Sequence, residues 1–143
     1  MLGTYNLPLL IGGVLSAGAA ILHLLIIARG AAWYRFFGAG EGMARAAEQG
    51  RWYPAVVTAA ISALLGTWSA YAFSGGGAIP ALPLVRPVLV TITVIYLLRG
   101  LVILPVLILP RTAATTFGLW SSAICLVFGV VYGLGLYQVW RQL

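Results

Sequence analysis

The 143-residue chain has no lysine and no aspartate, and it holds only two glutamates, one histidine and one cysteine. Each shortage removes a chemistry. A single cysteine, Cys125, excludes a Cys-x-x-Cys redox pair and any disulfide within the chain. With no aspartate and no paired carboxylates in any apolar run, a membrane aspartyl protease or a two-carboxylate glycosidase lacks its parts. The lone His23 cannot build a bis-histidine haem site or a multi-ligand zinc site, because both need several convergent donors. No serine stands in a nucleophile elbow. The stretch Gly38-Ala39-Gly40-Glu41-Gly42 lacks the lysine of a phosphate loop and follows an apolar run rather than a strand. The inventory therefore implies no metal and no cofactor.

Charge is scarce altogether. Charged residues make up 7% of the chain and hydrophobic residues 62%, whereas about a quarter of a soluble domain is charged. The net charge of +6 comes from eight arginines scattered singly between apolar runs. That scatter argues against a nucleic-acid surface, which gathers its basic residues on one face. It fits loop charge that orients helices and meets anionic headgroups.

What the chain has in abundance is long apolar runs. Four lie at about residues 7–28, 54–73, 87–109 and 116–140, each near the 20 residues needed to cross a bilayer. The fold class expected is an all-α membrane protein, a bundle of four transmembrane helices forming a single domain over 1–143. The first run has no basic residue before it and outlasts the 7 to 15 residues of a signal-peptide core, so it is expected to be retained as a helix. Trp33, Tyr34, Trp52, Tyr53 and Trp120 mark one boundary of the runs, and Tyr5, Tyr71, Tyr137 and Trp140 the other, as aromatic residues collect at membrane interfaces.

The connections are unequal. The second is built of helix breakers, from Ser74 through Gly77 to Pro87, and the third is only about six residues long. The first, residues 30–53, carries both acids. There Glu41, Arg45 and Glu48 share one face of a short amphipathic helix expected to lie at the interface, with Arg51 beyond it. Glu41 suits the first turn of such a helix. This segment is a candidate gating or ion-pairing loop. Arg29, Arg35, Arg45, Arg51 and Arg111 flank the first and third connections, against Arg86 and Arg141 opposite. Positive charge stays inside, so both termini are expected outside the cytoplasm; the short chain and its lack of lysine give a bacterial inner membrane as the expected location.

Arg99 departs from this pattern, being the sole charge in the run 88–109. An arginine at the centre of a transmembrane helix costs roughly 2.5 to 3.5 kcal/mol on insertion scales and ordinarily pairs or binds. Tyr96 and Thr93 stand three and six residues before it, and His23 lies past the midpoint of the first run toward the same side. Arg99, Tyr96, His23 and Thr93 are thus candidate ligand-binding residues, for a carboxylate or phosphate that suits the five N–H donors of guanidinium. His23 also reads as a packing histidine or as a proton-titrating group.

Small residues recur every four positions at Ser121, Cys125, Gly129 and Gly133, and Gly12 and Ser16 begin a similar strip in the first run. Such ridges let helix backbones approach closely, within one bundle or against a homo-oligomer or partner subunit. A non-catalytic scaffold or accessory subunit accounts for most residues with least chemistry. A transporter, or a lipid- or anionic-solute-binding protomer built around Arg99, comes second, and a membrane enzyme third. The expected partners are membrane lipids and other membrane subunits. No span holds the glutamate of a proton-coupled small multidrug transporter.

Overall fold

A computed structural model describes residues 5–102, 104 and 116–141 of the chain. Every regular element among them is a helix: α1 (Leu7–Arg29), α2 (Ala31–Phe36), α3 (Glu41–Glu48), α4 (Tyr53–Gly75), α5 (Val85–Leu101) and α6 (Thr116–Val139). Three of these, rather than the four expected, are long and apolar enough to cross a membrane: α1, α4 and α6. The difference lies in α5. It has 17 residues, short of the roughly 20 that a span requires, and most of the remainder of the expected run to 109 falls outside the described residues, as does the third connection.

The first connection also differs from expectation, because it contains two short helices rather than one. Gly30 and Gly40 precede α2 and α3 with φ of 72° and 96°, a conformation that side chains with a Cβ rarely adopt. These two glycines cut the connection into separate helical turns.

The chain divides into two compact units, one made of Met1–Ser16 with Trp68–Leu143 and the other of Ala17–Thr67. In the first unit, Asn6 starts α1 by accepting the Leu9 N–H on Oδ1 at 2.9 Å, which satisfies one orphan donor of the first turn. Its Nδ2 donates to Gln138 Oε1 at 2.8 Å, tying the start of α1 to the end of α6. Close glycine contacts set the helix spacing. A Cβ on Gly12 would meet the Tyr132 ring at 2.8 Å, one on Gly13 the Phe73 ring at 2.9 Å, and one on Gly75 the Leu89 side chain at 2.6 Å. Val85, Leu89, Ile92, Thr93, Tyr96 and Gly100 form the buried stripe of α5, at the three- and four-residue spacing of one helical face.

In the second unit, Ile26, Tyr34 and Ala44 form a small core on which Leu22, Trp33, Phe37 and Met43 pack. This core fixes α2 and α3 to the end of α1. Ser62 Oγ donates to the Ala20 carbonyl at 2.9 Å, joining α4 to α1. The Tyr34 hydroxyl is hydrogen-bonded to Thr58 Oγ1 at 3.2 Å.

Candidate functional site

Arg99 lies in the last turn of α5, with an exposed side chain. Its Nη1 donates to Ser122 Oγ at 2.9 Å and its Nη2 to Ser121 Oγ at 3.0 Å. Both acceptors are neutral hydroxyls on α6. They hold the guanidinium in place, but they do not cancel its charge.

The two carboxylates of the chain are engaged elsewhere, in the second unit. Arg35 grips Glu41 with two bonds, from Nε to Oε2 and from Nη2 to Oε1, each 3.0 Å, and reaches Glu48 Oε1 from Nη1 at 2.6 Å. Arg45 adds a bond to Glu41 Oε1 at 3.1 Å, one turn along α3. These bonds hold the Glu41 carboxyl down to about 2 and lower that of Glu48, the Arg35 hydrogen bond being the largest cause for each. The Arg35 guanidinium is correspondingly more firmly protonated. The lattice clamps α2 to α3, and Arg35 is its hub.

Arg35 was missing from the candidates because its partners lie six and thirteen residues away across a chain reversal, beyond the spacing a single helix makes readable. Arg51, which was among them, is exposed beyond the end of α3, and its backbone N–H caps that helix on the Ala46 carbonyl.

The remaining candidates are distributed as follows. Tyr96 is buried, its hydroxyl 3.0 Å from Ser16 Oγ. Thr93 is also buried and donates to the Leu89 carbonyl at 2.7 Å. The hydroxyls of both are thus engaged away from Arg99, whose partners among the described residues are Ser121 and Ser122; the six residues from Thr93 to Arg99 also leave those two about 120° apart around a helix of 3.6 residues per turn. His23 belongs to the second unit, half-buried, with Nδ1 2.7 Å from the Ala19 carbonyl. Because a carbonyl only accepts, Nδ1 is the donor in this bond.

Ser16 has the largest role of the small residues. It is fully buried, and its hydroxyl bonds both Tyr96 and Tyr132, the latter at 2.7 Å. Tyr132 in turn donates to the Trp68 carbonyl at 3.4 Å. Trp68 and Phe128 stand edge-on to the Tyr96 ring at 5.0 and 5.3 Å, the arrangement aromatic quadrupoles favour. The α6 ridge meets α5: Gly129 lies against Leu97 and Gly133 against Thr93, while Ser121 holds Arg99. Cys125 is a free, half-buried thiol on the same helix.

These elements define a helical protein with three apolar helices of membrane-crossing length, compatible with a small integral membrane protein. No family model, no curated protein and no solved structure matches the chain.

Proposed function

We propose that the chain is a small four-span integral membrane protein without catalytic activity, acting as a scaffold or accessory subunit of a membrane assembly. Its polar interior supports this reading. Among the described residues every buried side-chain nitrogen and oxygen has a hydrogen-bond partner, so Ser16, Tyr96, Tyr132, Ser62 and Ser69 spend their chemistry on joining helices. The outer face of α6 offers the complementary feature. Trp120, Ile124, Val127, Leu134 and Tyr137 are all exposed, and their spacing of three, four and seven residues makes one apolar stripe suited to lipid or to a neighbouring helix. In this reading α5 belongs to the third membrane crossing, and the arginine-rich connections lie in the bacterial cytoplasm with both termini outside.

The test is purification from host membranes into native nanodiscs through a terminal tag, with stoichiometry read by mass spectrometry. A defined assembly larger than the monomer is expected, either homo-oligomeric or with a partner subunit. A bare monomer that catalyses solute flux in liposomes overturns the scaffold.

One observation favours a second reading, a lipid- or anionic-solute-binding protomer. Arg99 is an exposed charge in an apolar run, held by neutral serines. No carboxylate pairs with it among the described residues, and a charge in an apolar run ordinarily pairs or binds.

A further inference from the structure

We propose that Arg99, positioned by Ser121 and Ser122, binds the phosphate of an anionic membrane lipid headgroup. The inference rests on the membrane-embedded reading above and gives its second form a ligand.

The depth of the group selects the ligand. At the far end of α5, Arg86 stacks on Trp140 with its guanidinium carbon 3.8 Å from the ring centroid, a pairing of basic and aromatic residues that belongs at a membrane interface. Thirteen residues separate Arg86 from Arg99, about 20 Å along a helix that rises 1.5 Å per residue. The hydrocarbon core is roughly 30 Å thick, so the Arg99 backbone lies about two-thirds of the way across. A long side chain covers much of what remains by snorkelling, and the bilayer thins locally around a charge.

The partners of the guanidinium sit at a matching level. Ser121 follows Trp120, an indole 69% exposed near the start of α6, and exposed tryptophans prefer the headgroup boundary. The guanidinium is thereby held at the depth of lipid phosphates rather than at the bilayer centre.

The chemistry agrees with the depth. Two of the five N–H groups of Arg99 are used on serine oxygens, and these two bonds fix the plane of the fork. A fixed planar fork matches the tetrahedral oxygens of phosphate with paired, charge-assisted bonds. Because the serines are neutral, the phosphate also supplies the missing negative charge. An anionic headgroup fits better than a zwitterionic one, whose own cation competes for the phosphate.

The experiment uses the full chain in nanodiscs of phosphatidylglycerol and phosphatidylcholine in a one-to-four ratio, with retained lipid counted by native mass spectrometry. The wild type is expected to retain phosphatidylglycerol selectively. Arg99→Gln should lower that retention by roughly tenfold, as befits the loss of a charged hydrogen-bond pair. Arg99→Lys, which keeps the charge without the fork, should fall between them. Ser121→Ala with Ser122→Ala should weaken retention while leaving the charge in place, and this pair serves as the test if Arg99→Gln does not fold.

Equal retention by wild type and by folded variants overturns the site. Phosphatidylglycerol retention that is unchanged in Arg99→Gln, together with loss of a homo-oligomer or partner subunit, also overturns it and assigns the counter-charge to a protein carboxylate. A protein found in the soluble fraction after cell breakage refutes the membrane reading itself, before any lipid is counted.

Discussion

Ser16 and Tyr132 are both fully buried, with their side-chain oxygens 2.7 Å apart, and the same serine oxygen lies 3.0 Å from the Tyr96 hydroxyl. One small residue on α1 therefore satisfies a tyrosine on α5 and another on α6. Its removal should affect the two unequally, because Tyr132 retains the Trp68 carbonyl while Ser16 is the one hydrogen-bond partner of the Tyr96 hydroxyl among the described residues.

Ser16→Ala should accordingly cost about 1–2 kcal/mol, the range for a buried hydroxyl left without a partner and for interhelical bonds in membranes. Tyr96→Phe in the Ser16→Ala background should add little, since the stranded hydroxyl is then gone. A double-mutant cycle by reversible unfolding in mixed micelles measures both effects. Strict additivity, or a Ser16→Ala protein as stable as wild type, removes Ser16 from this role.

Much of the architecture can be read from composition alone, because apolar runs of membrane-crossing length have few other uses. The runs expected at 7–28, 54–73 and 116–140 coincide closely with α1, α4 and α6. Helix spacing likewise pointed to 41–48, where α3 lies. Contacts between helices were far less legible. Ser16 resembled one more small residue in a strip, and nothing in its spacing announces two tyrosines 80 and 116 residues away. Ser122 lies outside the four-residue ridge that begins at Ser121, although both hold Arg99. The helix α2 escaped notice because its six residues are too few to show periodicity, and the glycines that bracket it looked like loop.

Glycines that look alike in sequence should respond very differently to alanine. A Cβ on Gly100 would lie 2.7 Å from the Leu126 backbone nitrogen and 2.8 Å from its Cα. Backbone cannot rotate aside as a side chain can, so α5 and α6 must separate. Gly100→Ala should cost about 1–3 kcal/mol or more, as overpacking does. On Gly133 the same atom meets Thr93 Cγ2 at 3.5 Å, an ordinary contact. Gly133→Ala should be neutral, or stabilising by up to about 1 kcal/mol from helix propensity. Thermal unfolding of the two variants in one detergent gives the comparison, and equal melting temperatures contradict the close α5–α6 approach at Gly100.

The last prediction concerns pH and the clamp between α2 and α3. Arg35 and Arg45 hold the Glu41 carboxyl near 2, and Arg35 lowers that of Glu48, against an ordinary value of 4.5. A carboxyl with a depressed folded-state pKa contributes its stabilisation fully above the unfolded value and loses it as pH falls through the folded one. The clamp should thus be intact above about pH 4.5 and weaken progressively toward about pH 2, with Glu48 and Glu41 each contributing to the loss. Exposure keeps the effect small and sensitive to salt, so a local measurement is needed rather than global melting. Hydrogen exchange of α3 amides in nanodiscs, corrected for the intrinsic pH dependence of exchange, supplies it. Protection should fall between pH 4.5 and 2.5 in the wild type. Arg35→Gln should flatten the profile and leave α3 less protected even at pH 7, because both carboxylates lose their main partner at once. Glu48→Gln should preserve the lower part of the transition, since the two bonds between Arg35 and Glu41 survive. A wild-type profile that is flat across this window, or one that Arg35→Gln leaves unaltered, rules out the ion pairs as what holds α2 against α3.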